Sequence, residues 1–302
     1  MSIYVEILIR APMDAVWAHT QTPALHERWD LRFSRIHYLP RMGDTEPQRF
    51  RYTTRLAFGL EVSGEGATAG QRDLTDGSRS SALTFGSDQT ISIIREGSGY
   101  WKYIPTAEGV RFLTRYDYRT RFGRVGWLFD RVLFRPAIGW ATAWSFDRLR
   151  LWLEHGVDPA QAMRQTLMHA VARVTLAAVF AYQGLVPKLL VRHADEIAML
   201  RDGGIPPGTT AAAVTAFAIV ELAFASVLLI GWHRRWPLYL CLASMALATA
   251  AVALNSPRYF EAAFNPASLN VSVAALAAID LLVLGSLPSA ARCLRHPRPE
   301  QA

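Results

Sequence analysis

The first half of the chain alternates polar and apolar positions with a period of two. The segment RFRYTTRLAF (residues 49–58) places arginines on one face and mostly apolar side chains on the other, and VRFLTRYDYRT (residues 110–120) repeats the pattern. This alternation predicts antiparallel strands with one buried and one solvated face. The positions on the predicted buried face are Phe50, Tyr52, Thr54, Leu56 and Phe58 in the first segment and Val110, Phe112, Thr114, Tyr116 and Tyr118 in the second.

Other parts of this half carry the signals of helices and turns. Residues 1–30 begin with a β-branched run, turn at Ala11–Pro12 and continue with a helical pattern. The clusters TAGQRDLTDGSRSS (residues 68–81) and REGSG (residues 95–99) are typical of hairpin turns. We expect the last long segment to break or kink at Pro136 and then to form an amphipathic helix, with Asp147, Arg150 and Glu154 along its polar stripe.

Three motifs in this half resemble one known superfamily. They are I-x-A-P-x-D-A-V-W at residues 9–17, ERWD at residues 27–30 and FRPAIGWATAWSFDRLRLWLE at residues 134–154. Residues 1–156 thereby resemble the START-like, polyketide cyclase or SRPBCC superfamily. The resemblance implies an α+β helix-grip domain, in which a curved antiparallel sheet wraps a long C-terminal helix around a cavity for an apolar ligand.

The cavity implied by this resemblance would be lined from both the sheet and the long helix. A filled core is the simpler interpretation of the same inward positions. The inward hydroxyl groups favour a cavity, because a buried hydroxyl needs a partner or a ligand. No catalytic constellation is evident, since His19, His26 and His37 have no recognisable nucleophile beside them. The candidate ligand-binding residues are Tyr52, Thr54, Phe112, Thr114, Tyr116, Ile138, Thr142 and Ser145.

The second half of the chain, residues 160–302, contains four apolar stretches, each near the length of about 20 residues that a bilayer requires. They cover about residues 170–191, 210–232, 237–254 and 269–287. His233, Arg234 and Arg235 separate the second and third stretches, and further arginines follow the fourth. The positive-inside rule therefore predicts a multi-pass protein of the inner (cytoplasmic) membrane with cytoplasmic N and C termini. The absence of a secretory signal in residues 1–16 agrees, and it predicts a cytoplasmic START-like domain.

This half resembles the DoxX-like family of four-helix membrane proteins. The resemblance rests on AYQGLVPKLLVRHADEIAMLRDGGIPP at residues 181–207, on an acid in the middle of the second span, and on FNPASLN at residues 264–270. It implies an association with membrane redox complexes of the thiosulfate:quinone type. The only cysteines, Cys241 and Cys293, are far apart and form no dithiol motif, so a redox role would belong to a partner or to bound quinone.

The acid in the second span is Glu221, the central residue of an apolar stretch that runs from residue 211 to residue 231. Acids at such positions usually face the interior of a helix bundle and find a partner there. We expect Glu221 to form an intramembrane polar cluster with Arg173, Gln183 and Asp280. The cluster is either a structural lock between helices or a site for a proton or a quinone headgroup.

Three functions are compatible with these patterns. The leading hypothesis is a membrane-anchored binding protein whose cytoplasmic cavity holds a lipid, polyketide or isoprenoid-like ligand beside the bilayer. The alternatives are an enzyme of the polyketide cyclase or hydrolase type, and a subunit of a membrane redox complex with a redox partner. The net charge of +7 comes from dispersed arginines, which argues against nucleic acid as a partner. No metal site or cofactor is predicted.

Overall fold

The computed structural model describes residues 2–41, 43, 46–55 and 59–297, so the predicted strand positions Leu56 and Phe58 lie outside the described residues. The chain forms two units. The sheet unit contains the residues up to Ala162 together with the segment that begins at Pro288, and the helical unit contains Met163–Leu287. The sheet unit is therefore built from two separate pieces of the chain.

The sheet unit has the predicted α+β helix-grip architecture. Its seven antiparallel strands pair in the order β1-β7-β6-β5-β4-β3-β2, and the long helix α4 packs against β1. The strands are β1 (Ile3–Ile9), β2 (Arg35–Tyr38), β3 (Arg49–Arg55), β4 (Glu61–Asp73), β5 (Arg79–Gly86), β6 (Ile94–Thr106) and β7 (Gly109–Thr120). The helices are α1 (Met13–Gln21), α2 (Pro23–Trp29), α3 (Gly123–Phe129) and α4 (Arg135–His155), with a π-helical turn at Asp130–Phe134 before α4.

The alternation in β7 is confirmed, since its predicted inward residues from Val110 to Tyr118 are all buried. The turn prediction is correct at one site and wrong at the other. The chain turns at Asp76–Gly77, where Gly77 has a positive φ of 77°. The REGSG segment instead lies inside β6, where Gly97 pairs with Phe85 and Gly99 pairs with Tyr116. These glycines make room for aromatic residues on the neighbouring strands, because a Cβ at Gly97 would lie 2.6 Å from the Phe85 ring and one at Gly99 would lie 2.4 Å from the Tyr116 Cβ.

The polar stripe of α4 differs from the prediction, because its central acid Asp147 is completely buried. Asp147 accepts hydrogen bonds from the Arg150 side chain at 2.7 Å and from the Ser289 backbone N–H at 2.8 Å. We call residues 288–297 the return segment. It passes over α4 and pairs with β1, where Glu6 and Leu294 exchange both backbone hydrogen bonds. The return segment therefore covers a face of α4 that its own sequence pattern assigns to solvent.

The helical unit contains four helices that are long and apolar enough to cross a membrane, which agrees with the predicted four spans. The first is α5 (Pro159–Gln183), which a π-helical turn at Gly184–Leu190 extends. The others are α7 (Pro207–Ile230), α8 (Trp236–Asn255) and α9 (Pro266–Val283), and the short α6 (Ala194–Asp202) precedes α7. Large apolar side chains such as Leu254 and Leu282 point outward, as expected for helices surrounded by lipid.

Candidate functional site

The sheet unit encloses a cavity of about 150 Å³, which we call the sheet cavity. Residues from α1, α2 and the start of α4 line it together with residues of the sheet. Five of the eight candidate ligand-binding residues line this cavity: Tyr52, Thr54, Thr114, Tyr116 and Ile138. The inward face of the sheet is therefore not completely filled by side chains at these positions.

The other three candidates face the sheet or α4 without lining the cavity. Phe112 belongs to the core, where its ring stacks on Phe146 with 4.4 Å between the centroids. Thr142 contacts the Tyr116 hydroxyl at 2.9 Å, and Ser145 accepts a hydrogen bond from the backbone N–H of Leu31 at 2.8 Å. Thr142 thus holds the side chain of the cavity residue Tyr116 in place, and Ser145 fixes the backbone just after α2.

The polar part of the sheet cavity centres on three side chains from the segment HERWDLR. Arg32 and His26 line the cavity, and Asp30 lies behind them, completely buried. Asp30 accepts two hydrogen bonds from the Arg32 guanidinium, at 2.9 and 2.6 Å, and its Oδ2 lies 3.0 Å from His26 Nε2. The guanidinium also lies 5.6 Å from the centroid of the Tyr116 ring.

The charges of this group balance. Burial alone would raise the pKa of Asp30, but Arg32 and His26 outweigh burial and hold that pKa well below its usual range. The same ion pair raises the pKa of Arg32 against the effect of its own burial. Tyr52, another residue of the wall, donates a hydrogen bond to the Gly86 carbonyl, and burial raises the pKa of its hydroxyl to about 12. The cavity therefore presents an ion pair without net charge, an imidazole and phenol rings.

Sequence reasoning did not identify His26 and Arg32 as site residues. The ERWD motif contains the acid of this group, but as a motif it indicates only the fold. The spacing of four residues between His26 and Asp30 at the end of a short helix is a usable signal, since it puts both side chains on one face. Among the described residues, no group of His, Cys, Asp and Glu is placed to hold a metal ion.

The helical unit contains two separate polar groups in place of the single predicted cluster. In the first, Asp280 contacts His169 through one oxygen and Arg173 Nε through the other at 2.7 Å. Arg173 also donates a hydrogen bond to the carbonyl of Arg234 at 2.9 Å. The side chains of His169, Arg173 and Asp280 are at most 1% exposed.

The second polar group contains Glu221, whose carboxylate lies 3.1 Å from Lys188 Nζ. Lys188 belongs to the π-helical turn after α5, and it also lies 3.3 Å from Glu196 Oε1. Gly184 allows this turn to approach α7, because a Cβ there would lie 2.8 Å from the Ala218 carbonyl oxygen. Gln183 and Glu221 line a second cavity of about 670 Å³ within the helical unit, which we call the bundle cavity.

The separation of the two groups has a simple geometric cause. Arg173 and Lys188 are 15 residues apart along the first span, which corresponds to about 22 Å of helix. Asp280 lies only three residues before the end of α9. It contacts His169 and Arg173 near the middle of α5, whereas Glu221 contacts Lys188 near the end of that span.

Comparison with known proteins identifies the helical part. The model of the DoxX-like family matches residues 177–278. The uncharacterized membrane protein YndG of Bacillus subtilis (strain 168) is 49% identical over 183 residues, which are 60% of this chain and 68% of that protein. The chain belongs to the family of YndG. It is a membrane protein with a DoxX-like domain, and that domain contains Gln183, Lys188 and Glu221.

Solved structures resemble the sheet unit of this family member. One is the STAR-related lipid transfer protein fragment from Xanthomonas axonopodis, with 15% identity, coverage of 51% of this chain and 86% of that chain, and a TM-score of 0.40. Another is the di-domain ARO/CYC StfQ from the steffimycin biosynthetic pathway, with 16% identity, coverage of 52% of each chain and a TM-score of 0.35. The strand order and the packing of α4 against β1 make the sheet unit START-like.

Proposed function

We propose that this protein is a membrane-anchored binding protein whose sheet cavity holds a small, largely apolar ligand with one polar group. The observation that carries the proposal is the combination of aromatic walls with the Arg32–Asp30–His26 group at one side. Binding sites for small molecules are typically apolar cavities with a few convergent polar groups. The chain joins the sheet unit to the four spans, and such a tether raises the local concentration of membrane-derived ligands around the cavity.

The size of the sheet cavity favours a small ligand or one part of a larger one. A volume of about 150 Å³ matches engineered apolar cavities that accept a single benzene ring. A lipid, an isoprenoid chain or a multi-ring polyketide needs more space. For such ligands, only the inner ring or the chain end would enter, unless side chains on the wall move.

The charge balance favours a neutral polar group on the ligand. Arg32 is already paired through two hydrogen bonds with a carboxylate that lies in the same buried site. A ligand carboxylate would face Asp30 as well as Arg32, so it would gain little attraction after it loses its hydration. A phenol or ketone instead accepts from the guanidinium or pairs with His26 at a smaller desolvation cost.

We test the proposal on the intact protein in mild detergent. Bound small molecules are extracted and identified by mass spectrometry, and thermal unfolding is then followed with p-cresol and with p-toluate, which have the same ring and different heads. We expect p-cresol to raise the melting temperature more than p-toluate does. Absence of any ring-containing or apolar molecule from the extract, together with no shift from either probe, would refute the binding function.

A second candidate function is general acid–base catalysis at His26. The pairing of His26 Nε2 with Asp30 at 3.0 Å orients an imidazole inside the cavity, and oriented imidazoles are common proton-transfer groups. This observation supports the polyketide cyclase or hydrolase alternative. Replacement of His26 by Gln separates the two functions, because the Gln amide can still form a hydrogen bond with the ligand, so binding should weaken only modestly while any turnover of the extracted ligand is lost. A role beside a membrane redox partner stays a prediction from the DoxX-like resemblance.

We also propose that the N terminus, the loop with His233 to Arg235 and the C terminus are cytoplasmic. The support is the concentration of arginines in these segments. The return segment adds a geometric argument, because residues before the first span and after the last span belong to the same folded unit. Both segments must then lie on one side of the membrane.

A further inference from the structure

The bundle cavity is apolar along most of its wall and polar at one end. Phe180, Met245, Val252 and Val273 belong to the apolar part. Its volume of about 670 Å³ lies within the range of about 300 to 1,000 Å³ that is typical of sites for small organic molecules. Glu221, near the middle of α7, reaches this cavity from an otherwise apolar span. Ionisable residues inside a membrane usually mark functional sites.

The polar end of the bundle cavity has more hydrogen-bond acceptors than donors. Lys188 supplies three N–H groups, and its Nζ contacts Glu221, Glu196 and, at 3.4 Å, the Gln183 carbonyl. The two carboxylates alone supply four oxygens. Glu221 Oε2 is buried, and among the described residues its close contact is Lys188 Nζ at 3.1 Å, an ion pair that is poorly aligned as a hydrogen bond. This oxygen can therefore accept from a further donor.

The charges at this end are also unbalanced. One ammonium group faces two carboxylates, and the side chains of all three residues are at least three-quarters buried. Asp195 and His193, at the edge of the cavity, are about half exposed and contact each other. They contribute little to the buried balance because water screens them. One further positive charge restores neutrality at the end where Glu221 Oε2 lies.

We propose that the bundle cavity binds a lipophilic organic cation, an ammonium group on an apolar body. The ammonium group donates to Glu221 and Glu196, and the body lies against Phe180 and Met245. Lys188 separates the two carboxylates and competes with the ligand for them, so it limits affinity. This site is independent of the sheet cavity, and its ligand differs in charge from the neutral ligand proposed there.

The experiment compares two probes with one apolar body, 4-phenylbutylammonium and 4-phenylbutanol, by calorimetry on the intact protein in non-ionic detergent, with micelle blanks subtracted. We expect the ammonium probe to bind about ten- to a hundred-fold more tightly, because charge-assisted hydrogen bonds are the strong ones in a desolvated site. The substitution Glu221→Gln should remove this preference. Glu261→Gln, which changes an exposed carboxylate in the loop before α9, is the matched control and should retain it.

Lys188→Met gives the sharper result, because removal of the competing cation should tighten ammonium binding by about ten-fold. Weaker ammonium binding to this variant would overturn the proposal, since Lys188 would then be a binding group for an anion. Equal binding of the two probes would also overturn it and would indicate that a lipid chain fills the cavity. If Lys188→Met does not fold, Glu196→Gln provides the test. A preference for ammonium that is unchanged in both Glu196→Gln and Glu221→Gln would refute the site.

Discussion

The buried group of His169, Arg173 and Asp280 gives a prediction that depends on which partner is removed. Asp280→Asn leaves the Arg173 cation, among the described residues, with the Arg234 carbonyl and a neutral amide in place of a carboxylate, and stranding one charge of a buried pair costs about 3–5 kcal/mol. Arg173→Met is milder, because Asp280 keeps its contact with His169. We expect that loss to be about half as large.

The assay is a double-mutant cycle on the free energy of unfolding, measured by denaturant titration in detergent micelles. Because the double variant leaves no stranded charge, we expect Asp280→Asn and Arg173→Met to be non-additive by about 1.5–3 kcal/mol. This exceeds the mean of about 0.6 kcal/mol for hydrogen bonds between membrane helices. Glu221→Gln combined with Arg173→Met serves as the control and should be additive, since these residues belong to different groups.

Two results would refute this reasoning. The first is additivity of Asp280→Asn and Arg173→Met within about 0.5 kcal/mol, because it would mean that the 2.7 Å contact contributes no coupling. The second concerns His169→Gln. In the His169→Gln protein, Arg173→Met should lower the free energy of unfolding about as much as Asp280→Asn does. If Arg173→Met has the same effect with and without His169, then His169 does not offset the loss of Arg173.

Three further predictions concern the sheet unit. Because the pKa of Asp30 is held below its ordinary value, its ion pair stabilises the fold above about pH 4. The native protein should therefore lose stability as the pH falls below that value, and Asp30→Asn should lose less stability over the same pH range. Thr114→Leu should reduce uptake of an apolar fluorescent probe by the intact protein, whereas Thr114→Val should not, and equal uptake by both variants would contradict a role for this wall. Cys293 is buried, and burial together with Asp147 raises the pKa of its thiol to about 12. A membrane-impermeant thiol reagent should therefore label Cys293 slowly even in opened cells. A cysteine introduced by His296→Cys should be labelled quickly, and only after the cells are opened.

Much of the fold could be predicted from local patterns. The period-two alternation of β7 and the four apolar stretches each identify an element through the environment of its own residues. The REGSG segment shows where this reasoning ends. Glycine signals a turn when only the local sequence is considered, but Gly97 and Gly99 are needed inside a strand, because Phe85 on β5 and Tyr116 on β7 leave no room for a Cβ at these positions. That reason lies in neighbouring strands.

The candidate sites show the same limit at longer range. Tyr52, Thr54, Thr114, Tyr116 and Ile138 could be placed on the cavity wall because alternation and helix periodicity determine the inward face. The partner of Glu221 could not be found from the apolar pattern of the spans. A π-helical turn near the end of the first span brings Lys188 against α7. Asp147 was assigned to solvent because the segment that covers it is 142 residues away.

The return segment has a consequence for biosynthesis. The ribosome completes β1–β7 and α4 first, then makes the entire helical unit, and only afterwards makes the residues that cover Asp147 and pair with the edge of β1. Until then the nascent sheet unit has an open strand edge, a feature that favours aggregation and attracts chaperones. A chain that stops early, or whose last span fails to insert correctly, keeps that edge open. Quality-control proteases can therefore recognise a failure in the membrane through an unfinished sheet outside it.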